Sequence, residues 1–97
     1  MQLKWTDLAE ADLENIEAYI ANENNPSVAI DVVLRIIDST HLILSDYPRA
    51  GRQGRVKNTR ELVIDGLPFI VICRENLKKN HIEALRVLHD AQLWPTT

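Results

Sequence analysis

The stretch Thr59-Arg60-Glu61-Leu62-Val63-Ile64-Asp65-Gly66-Leu67-Pro68-Phe69-Ile70-Val71-Ile72-Cys73 decides the fold. Thr59 to Ile64 and Phe69 to Arg74 are rich in β-branched and aliphatic residues, which fit a pleated surface. Asp65-Gly66 between them is a tight-turn signal, and Pro68 sits just past it. The pair reads as a β-hairpin. Phe69 to Cys73 is apolar at every position, as a central strand covered on both faces would be. A third run, Ile82 to His89, follows a turn at Asn76 to Asn80 that carries Lys78 and Lys79. The second half of the chain is therefore expected to form three antiparallel strands.

Upstream, the hydrophobic period changes. Gln2 to Trp5 is short and ends at a polar cluster, which predicts a first strand. Thr6 or Asp7 can cap a following helix by accepting a backbone N–H bond, and acids in that first turn suit the helix dipole. Ala9, Leu13, Ile16 and Ile20 recur at helical spacing, with Asp12, Glu14 and Glu17 off that stripe. Asn22 to Asn25 interrupts the pattern. Asn25 then caps a second helix with Pro26 at its first position, where a missing N–H is no loss. Ala29, Val33, Ile36, Thr40, Ile43 and Tyr47 trace its apolar stripe until Pro48 stops it. A short link makes the two helices an antiparallel hairpin. The expected fold is α+β, ordered β-α-α-β-β-β, with that hairpin packed on one face of a small, mostly antiparallel sheet.

The chain has 97 residues, expected to form one domain over 1–97. Its balance of 45% apolar and 26% charged residues is that of a globular protein. A lone cysteine, Cys73, excludes an intrachain disulfide and fits a reducing cytoplasm. The opening residues lack a signal-peptide core, and Leu67 to Cys73, the longest uncharged apolar run, is too short to span a bilayer. Formal net charge is −3. Its distribution says more than its sum. Residues 1–47 carry two bases and nine acids, a net −7, whereas residues 48–97 carry nine bases and five acids, a net +4. From Tyr47 to Arg60 there is no acid, but there are Arg49, Arg52, Arg55, Lys57 and Arg60. A polyanion or an acidic peptide is a plausible partner for such a face.

Arginine binds phosphate and carboxylate in bidentate fashion and stays charged at neutral pH. Arg60, Arg74 and Arg86 fall on expected strands, and Arg49, Arg52, Arg55 and Lys57 on the loop entering the sheet. All seven are candidate target- or phosphate-binding residues, weighed against a solvated rim that protects an edge strand. Among the histidines, His41 is expected on the helix surface and His81 in an exposed turn. His89 ends an apolar strand and is the candidate general acid or base, against a structural role bonded to a backbone carbonyl. The three histidines lack zinc-site spacing, and no metal or cofactor is expected. Gly51-Arg52-Gln53-Gly54-Arg55 lacks the setting of a phosphate loop. Mid-strand Cys73 is expected to be buried. Trp5 is expected under the helices, and Leu93, Trp94 and Pro95 read as a tail folding back on the body or, as the open alternative, as a base-stacking platform.

Trp5-Thr6 leading to Ala9, Asp12-Leu13, Ile16 and Tyr19-Ile20 resembles the opening helix of the RelE/ParE superfamily of bacterial toxins. Asn25-Pro26, Pro48 with Gly51-Arg52 and Gly54-Arg55-Val56, Thr59-Arg60-Glu61-Leu62 and Gly66-Leu67-Pro68-Phe69-Ile70-Val71 continue the likeness. Arg86-Val87-Leu88-His89 and Ala91-Gln92-Leu93-Trp94-Pro95 resemble the ending of its ParE-like and StbE-like plasmid-stabilisation branch. The resemblance implies a cytoplasmic type II toxin, neutralised by a cognate antitoxin in a higher hetero-oligomer, with no membrane and no cofactor. It implies inhibition of growth, either by poisoning DNA gyrase, as ParE-like members do, or by ribosome-dependent mRNA cleavage, as RelE-like endoribonucleases do. A non-toxic protein-binding relative is the third alternative. His89 falls where YoeB-like nucleases place a catalytic histidine. Asp90 stands where they have a tyrosine, and Phe69 where they have an arginine, so the catalytic set is incomplete and the ParE-like reading leads.

Overall fold

A computed structural model describes residues 2–92 and Trp94. Strand β1 (Gln2–Trp5) leads into α1 (Asp7–Glu23) and α2 (Pro26–Asp46). Strands β2 (Arg52–Gln53), β3 (Thr59–Val63), β4 (Phe69–Asn76) and β5 (His81–His89) follow. Thr6, not Asp7, is the N-cap of α1, and its hydroxyl accepts the Ala9 N–H at 3.1 Å. Asn25 caps α2 by accepting the Val28 N–H at 3.0 Å, with Pro26 in the first turn. Two residues, Asn24 and Asn25, separate the helices, which pack side by side.

The sheet order is β1-β5-β4-β3-β2. β1 runs parallel to β5, and every other pair is antiparallel. The expected β-α-α-β-β-β order is present with one addition. Arg52–Gln53, read from the sequence as loop, pairs with Glu61 and Arg60 as a two-residue strand. Gly51 makes this possible: its φ is +98°, and a Cβ there would lie 2.8 Å from the Glu61 carbonyl oxygen. Only glycine lets the chain approach β3 so closely at that backbone angle.

Both faces of β4 are covered, as its unbroken apolar run requires. On the helix side, Val71 and Cys73 join Ala9, Leu13, Ile36, Leu44, Leu62, Ile64, Ile82, Ala84 and Val87 in the main core. Ile70, Ile72 and Leu88 form a second cluster, closed by Leu85 and Trp94. Trp94 thus folds back as expected, while Leu93 and Pro95 lie outside the described residues. Trp5 packs half-buried against the main core. α2 differs from the expected stripe at Leu44, which lies off it, and at Tyr47, which ends it. Leu44 is buried, and Tyr47 is 69% exposed because the helix ends there and Tyr47 serves as its C-cap. Fully buried Ile36 contributes about 1.5–3 kcal/mol by leaving water.

β1 pairs only with His81 to Ala84, so the second half of β5 has β4 on one side and no strand on the other. Side chains satisfy its outward groups instead. The Thr6 hydroxyl donates to the Leu85 carbonyl at 2.9 Å. Asp12 Oδ2 accepts the Val87 N–H at 2.9 Å, and Gln92 Oε1 accepts the His89 N–H at 2.8 Å. In the β4–β5 pairing Ile72 faces Arg86 and Cys73 faces Ala84, so Leu85 is the extra residue of a bulge.

Candidate functional site

The acid-free run from Tyr47 to Arg60 closes over the start of β3 and the end of β4. Together they wall a groove of about 780 Å³. Pro48 to Ala50, Gln53, Lys57 to Arg60, Cys73 to Lys78 and Ile82 line it. Its cations are Arg49, Lys57, Arg60, Arg74 and Lys78, and Glu75 is its one carboxylate. Asn58 turns the chain into β3 with φ +66°, a left-handed angle that asparagine tolerates better than most residues. Thr59 is buried and donates its hydroxyl to the Val56 carbonyl at 2.6 Å. This turn fixes Lys57 and Arg60 relative to the sheet.

Acids of the sheet occupy several of the candidate arginines. Arg49 Nε donates to Glu75 at 3.2 Å, and Arg52 Nε to Glu61 at 2.8 Å. Arg74 places both Nε and a terminal nitrogen on Glu83 Oε1, at 3.1 and 2.7 Å. That hydrogen bonding from Arg74 holds the Glu83 carboxyl below its ordinary range. Arg86 lies away from the groove, and its Nε and terminal nitrogen reach Asp12 on α1 at 2.8 and 3.0 Å. Asp12 reciprocally raises the Arg86 pKa above its ordinary value. Asp12, off the apolar stripe in sequence, is therefore no ordinary solvated helix acid. Among the described residues, Arg55, Lys57, Arg60 and Lys78 have no carboxylate within ion-pair distance.

His89 stands apart from these cations. It faces Phe69 at one end of the β4–β5 ladder, whereas Arg74 faces Glu83 toward the other. Arg74 lies five residue steps from Phe69 along β4, roughly 16 Å along the sheet. The His89 ring meets Phe69 edge-on with centroids 5.9 Å apart, and its Nδ1 accepts the Ala91 N–H at 3.1 Å. With Nδ1 accepting, the neutral ring carries its proton on Nε2. Half of its side chain remains exposed.

The remaining groups have structural surroundings. His81, expected in an exposed turn, is corrected to a half-buried position: its side chain is 13% exposed because it begins β5 beside β1. Its Nε2 lies 3.4 Å from Glu83 without a hydrogen bond. His41 is exposed, as expected on a helix surface, and accepts the Trp5 indole N–H at 3.3 Å. Cys73 is buried, and burial pushes its thiol pKa up to about 12. Among the described residues, no three His, Cys, Asp or Glu side chains gather as a metal site needs. No described helix is long and apolar enough to cross a membrane.

A family described as ParE toxin of type II toxin-antitoxin system, parDE, matches residues 3–94. The chain belongs to the ParE toxin family. A Sinorhizobium fredii protein named "Putative toxin Y4kP" is 39% identical over 94 residues, covering 97% of this chain and 93% of its own length. A solved structure titled "Chromosomal ParDE TA system from P. aeruginosa" superposes with a TM-score of 0.83. It is 30% identical and covers 92% of this chain and 95% of its own. This is a type II toxin on the ParE scaffold. Within that scaffold, Lys78 and the Asp12–Arg86 pair were not singled out as site or anchor from sequence. Asp12 and Arg86 are 74 positions apart, and no local pattern joins them.

Proposed function

We propose that this ParE-family toxin inhibits growth by binding DNA gyrase in the cytoplasm and is neutralised by a cognate antitoxin in a hetero-oligomeric complex. The separation of His89 from the groove is the observation that carries this reading against RNA cleavage. Internal phosphoryl transfer needs an acid, a base and charge stabilisation converging on one phosphate within hydrogen-bond reach. Here the exposed strand-end histidine and Arg74 stand roughly 16 Å apart along the sheet, while Arg74 and Arg86 are held by carboxylates. Arginine cannot serve as the base, because it stays protonated. A binding toxin needs no such convergence. The antitoxin expectation is supported by the P. aeruginosa relative, whose title names a ParDE TA system.

A paired assay tests the proposal. Purified protein is expected to inhibit gyrase supercoiling and to leave messenger RNA intact in cell-free translation followed by primer extension. Adding the neighbouring gene product is expected to restore supercoiling. Discrete RNA cuts without a gyrase effect, abolished by His89→Ala on an intact fold, would establish the endoribonuclease alternative instead. Harmless expression with neither effect would establish a non-toxic binding relative.

A further inference from the structure

We infer that Trp5 and His41 form a proton-sensitive latch, which holds the open end of the helical hairpin to the sheet and releases it when the His41 ring takes up a proton. At one end the two helices are joined through Asn24 and Asn25. At the other end the chain offers no such link. There the Trp5 indole N–H donates to His41 Nε2 at 3.3 Å, across 36 positions of sequence, and the ring centroids lie 6.2 Å apart. Trp5 ends β1, pairs with Ala84 and packs against the main core. Its neighbour Thr6 caps α1 and binds β5 twice: its N–H donates to the Ala84 carbonyl at 3.1 Å, and its hydroxyl to the Leu85 carbonyl. The latch therefore ties α2 to the point where β1, α1 and β5 meet.

The chemistry of the two rings makes this bond conditional. Indole has a donor and no acceptor, so His41 accepts only through an unprotonated Nε2 and carries its one ring proton on Nδ1. Imidazolium has an N–H at both positions, and two donors would then face each other. The bond is present while the ring is neutral and is lost as pH falls through its titration. His41 is exposed, so a proton reaches it without unfolding. The charged groups on the elements that meet here are Lys4 on β1, Asp7 and Glu10 in the first turn of α1, and Asp38 and Asp46 on α2. None of these carboxylates is within ion-pair distance of His41, so none replaces the lost bond by pairing with the charged ring. β1 has only four residues and one neighbouring strand, which makes it the element that loosens first.

The test is nuclear magnetic resonance on the full chain, with the Trp5 indole N–H assigned by comparison with Trp94→Phe. His41→Gln keeps an acceptor that does not titrate, and His41→Ala removes the acceptor. Circular dichroism melting at about pH 8 checks that each variant is folded. In the wild type the Trp5 indole signal should shift between about pH 8 and pH 5, with the same midpoint as the His41 ring signal. Over that range its hydrogen exchange, taken relative to His41→Gln at each pH, should quicken by about two- to ten-fold, the worth of one hydrogen bond. Exchange at the β1 amides should quicken with it. His41→Ala should show the faster exchange at every pH. A pH-dependent shift that persists in His41→Gln would overturn the inference and point to His81, which pairs with Gln2 across β1 and β5. A Trp5 signal that does not follow the His41 midpoint would overturn it, and so would β1 amides that exchange alike in wild type and His41→Ala at about pH 8. No readout depends on gyrase, so this inference and the proposed target stand or fall separately.

Discussion

Removing the Asp12 carboxylate should be among the most damaging single changes outside the apolar core. Asp12 receives three hydrogen bonds, two from Arg86 and one from the Val87 backbone N–H. In Asp12→Ala, that N–H loses its acceptor at a residue only 3% exposed. An orphaned buried donor costs about 1–3 kcal/mol. The Arg86 side chain, 28% exposed, also loses its counter-ion, adding about 1 kcal/mol after allowance for residual solvent contact. The sum, about 2–4 kcal/mol, is a large fraction of the roughly 5–15 kcal/mol that holds a domain together. It corresponds to a Tm drop on the order of 10–20 °C for a chain of this size. Urea denaturation monitored by circular dichroism measures the loss directly. Asp12→Asn retains one acceptor for the Val87 N–H and should lose about half as much. A double-mutant cycle with Arg86→Met isolates the pair, and a coupling of about 1 kcal/mol or more is expected. A loss below about 0.5 kcal/mol for Asp12→Ala would refute the reasoning, because that is the range of an ordinary surface change.

Three further outcomes follow from the geometry. Glu83 has a folded pKa below its ordinary 4.5, so its contribution to stability is present above that value and is lost as pH falls through the folded pKa. Glu83→Gln should flatten the acid limb of a stability-versus-pH profile and leave its neutral and alkaline limbs parallel to wild type. Gly51→Ala should destabilise by about 1–3 kcal/mol and increase amide exchange at Arg52 and Gln53, since the new methyl group meets the Glu61 carbonyl at a left-handed φ. With a thiol pKa near 12, Cys73 should resist iodoacetamide at pH 8 in the folded protein and react on unfolding; mass spectrometry with and without urea reads this.

Much of the fold was legible because short-range signals agreed with one another. Asn25-Pro26 marks the start of α2 by capping chemistry and a fixed φ, both local. Phe69 to Cys73 announces a strand buried on two faces, and Val71 with Cys73 on one side and Ile70 with Ile72 on the other bear that out. What escaped depends on distance along the chain. Arg52–Gln53 has little strand character of its own and pairs because Gly51 lets it reach β3. Tyr47 continues a helical period that the helix does not live to use. The candidate site divided in the same way. Clustering of Arg49, Lys57 and Arg60 follows from adjacency in sequence, and the groove contains all three. Which arginines keep their charge free is a tertiary matter, because Glu61, Glu75, Glu83 and Asp12 arrive from other strands or from α1.

The sealed margin of β5 has a consequence for how copies of this protein meet. An open strand is a template on which another chain can crystallise its own backbone, and the longest strands make the most dangerous templates. β5 has nine residues, yet β1 takes its first half, and Thr6, Asp12 and Gln92 occupy outward groups of the second. The strands that end the sheet are four and two residues long. Neither outer margin offers enough length to seed a growing ribbon. The carboxylate that anchors α1 thereby also occupies a backbone donor on that margin, and loss of Asp12 would leave the Val87 N–H open to another chain.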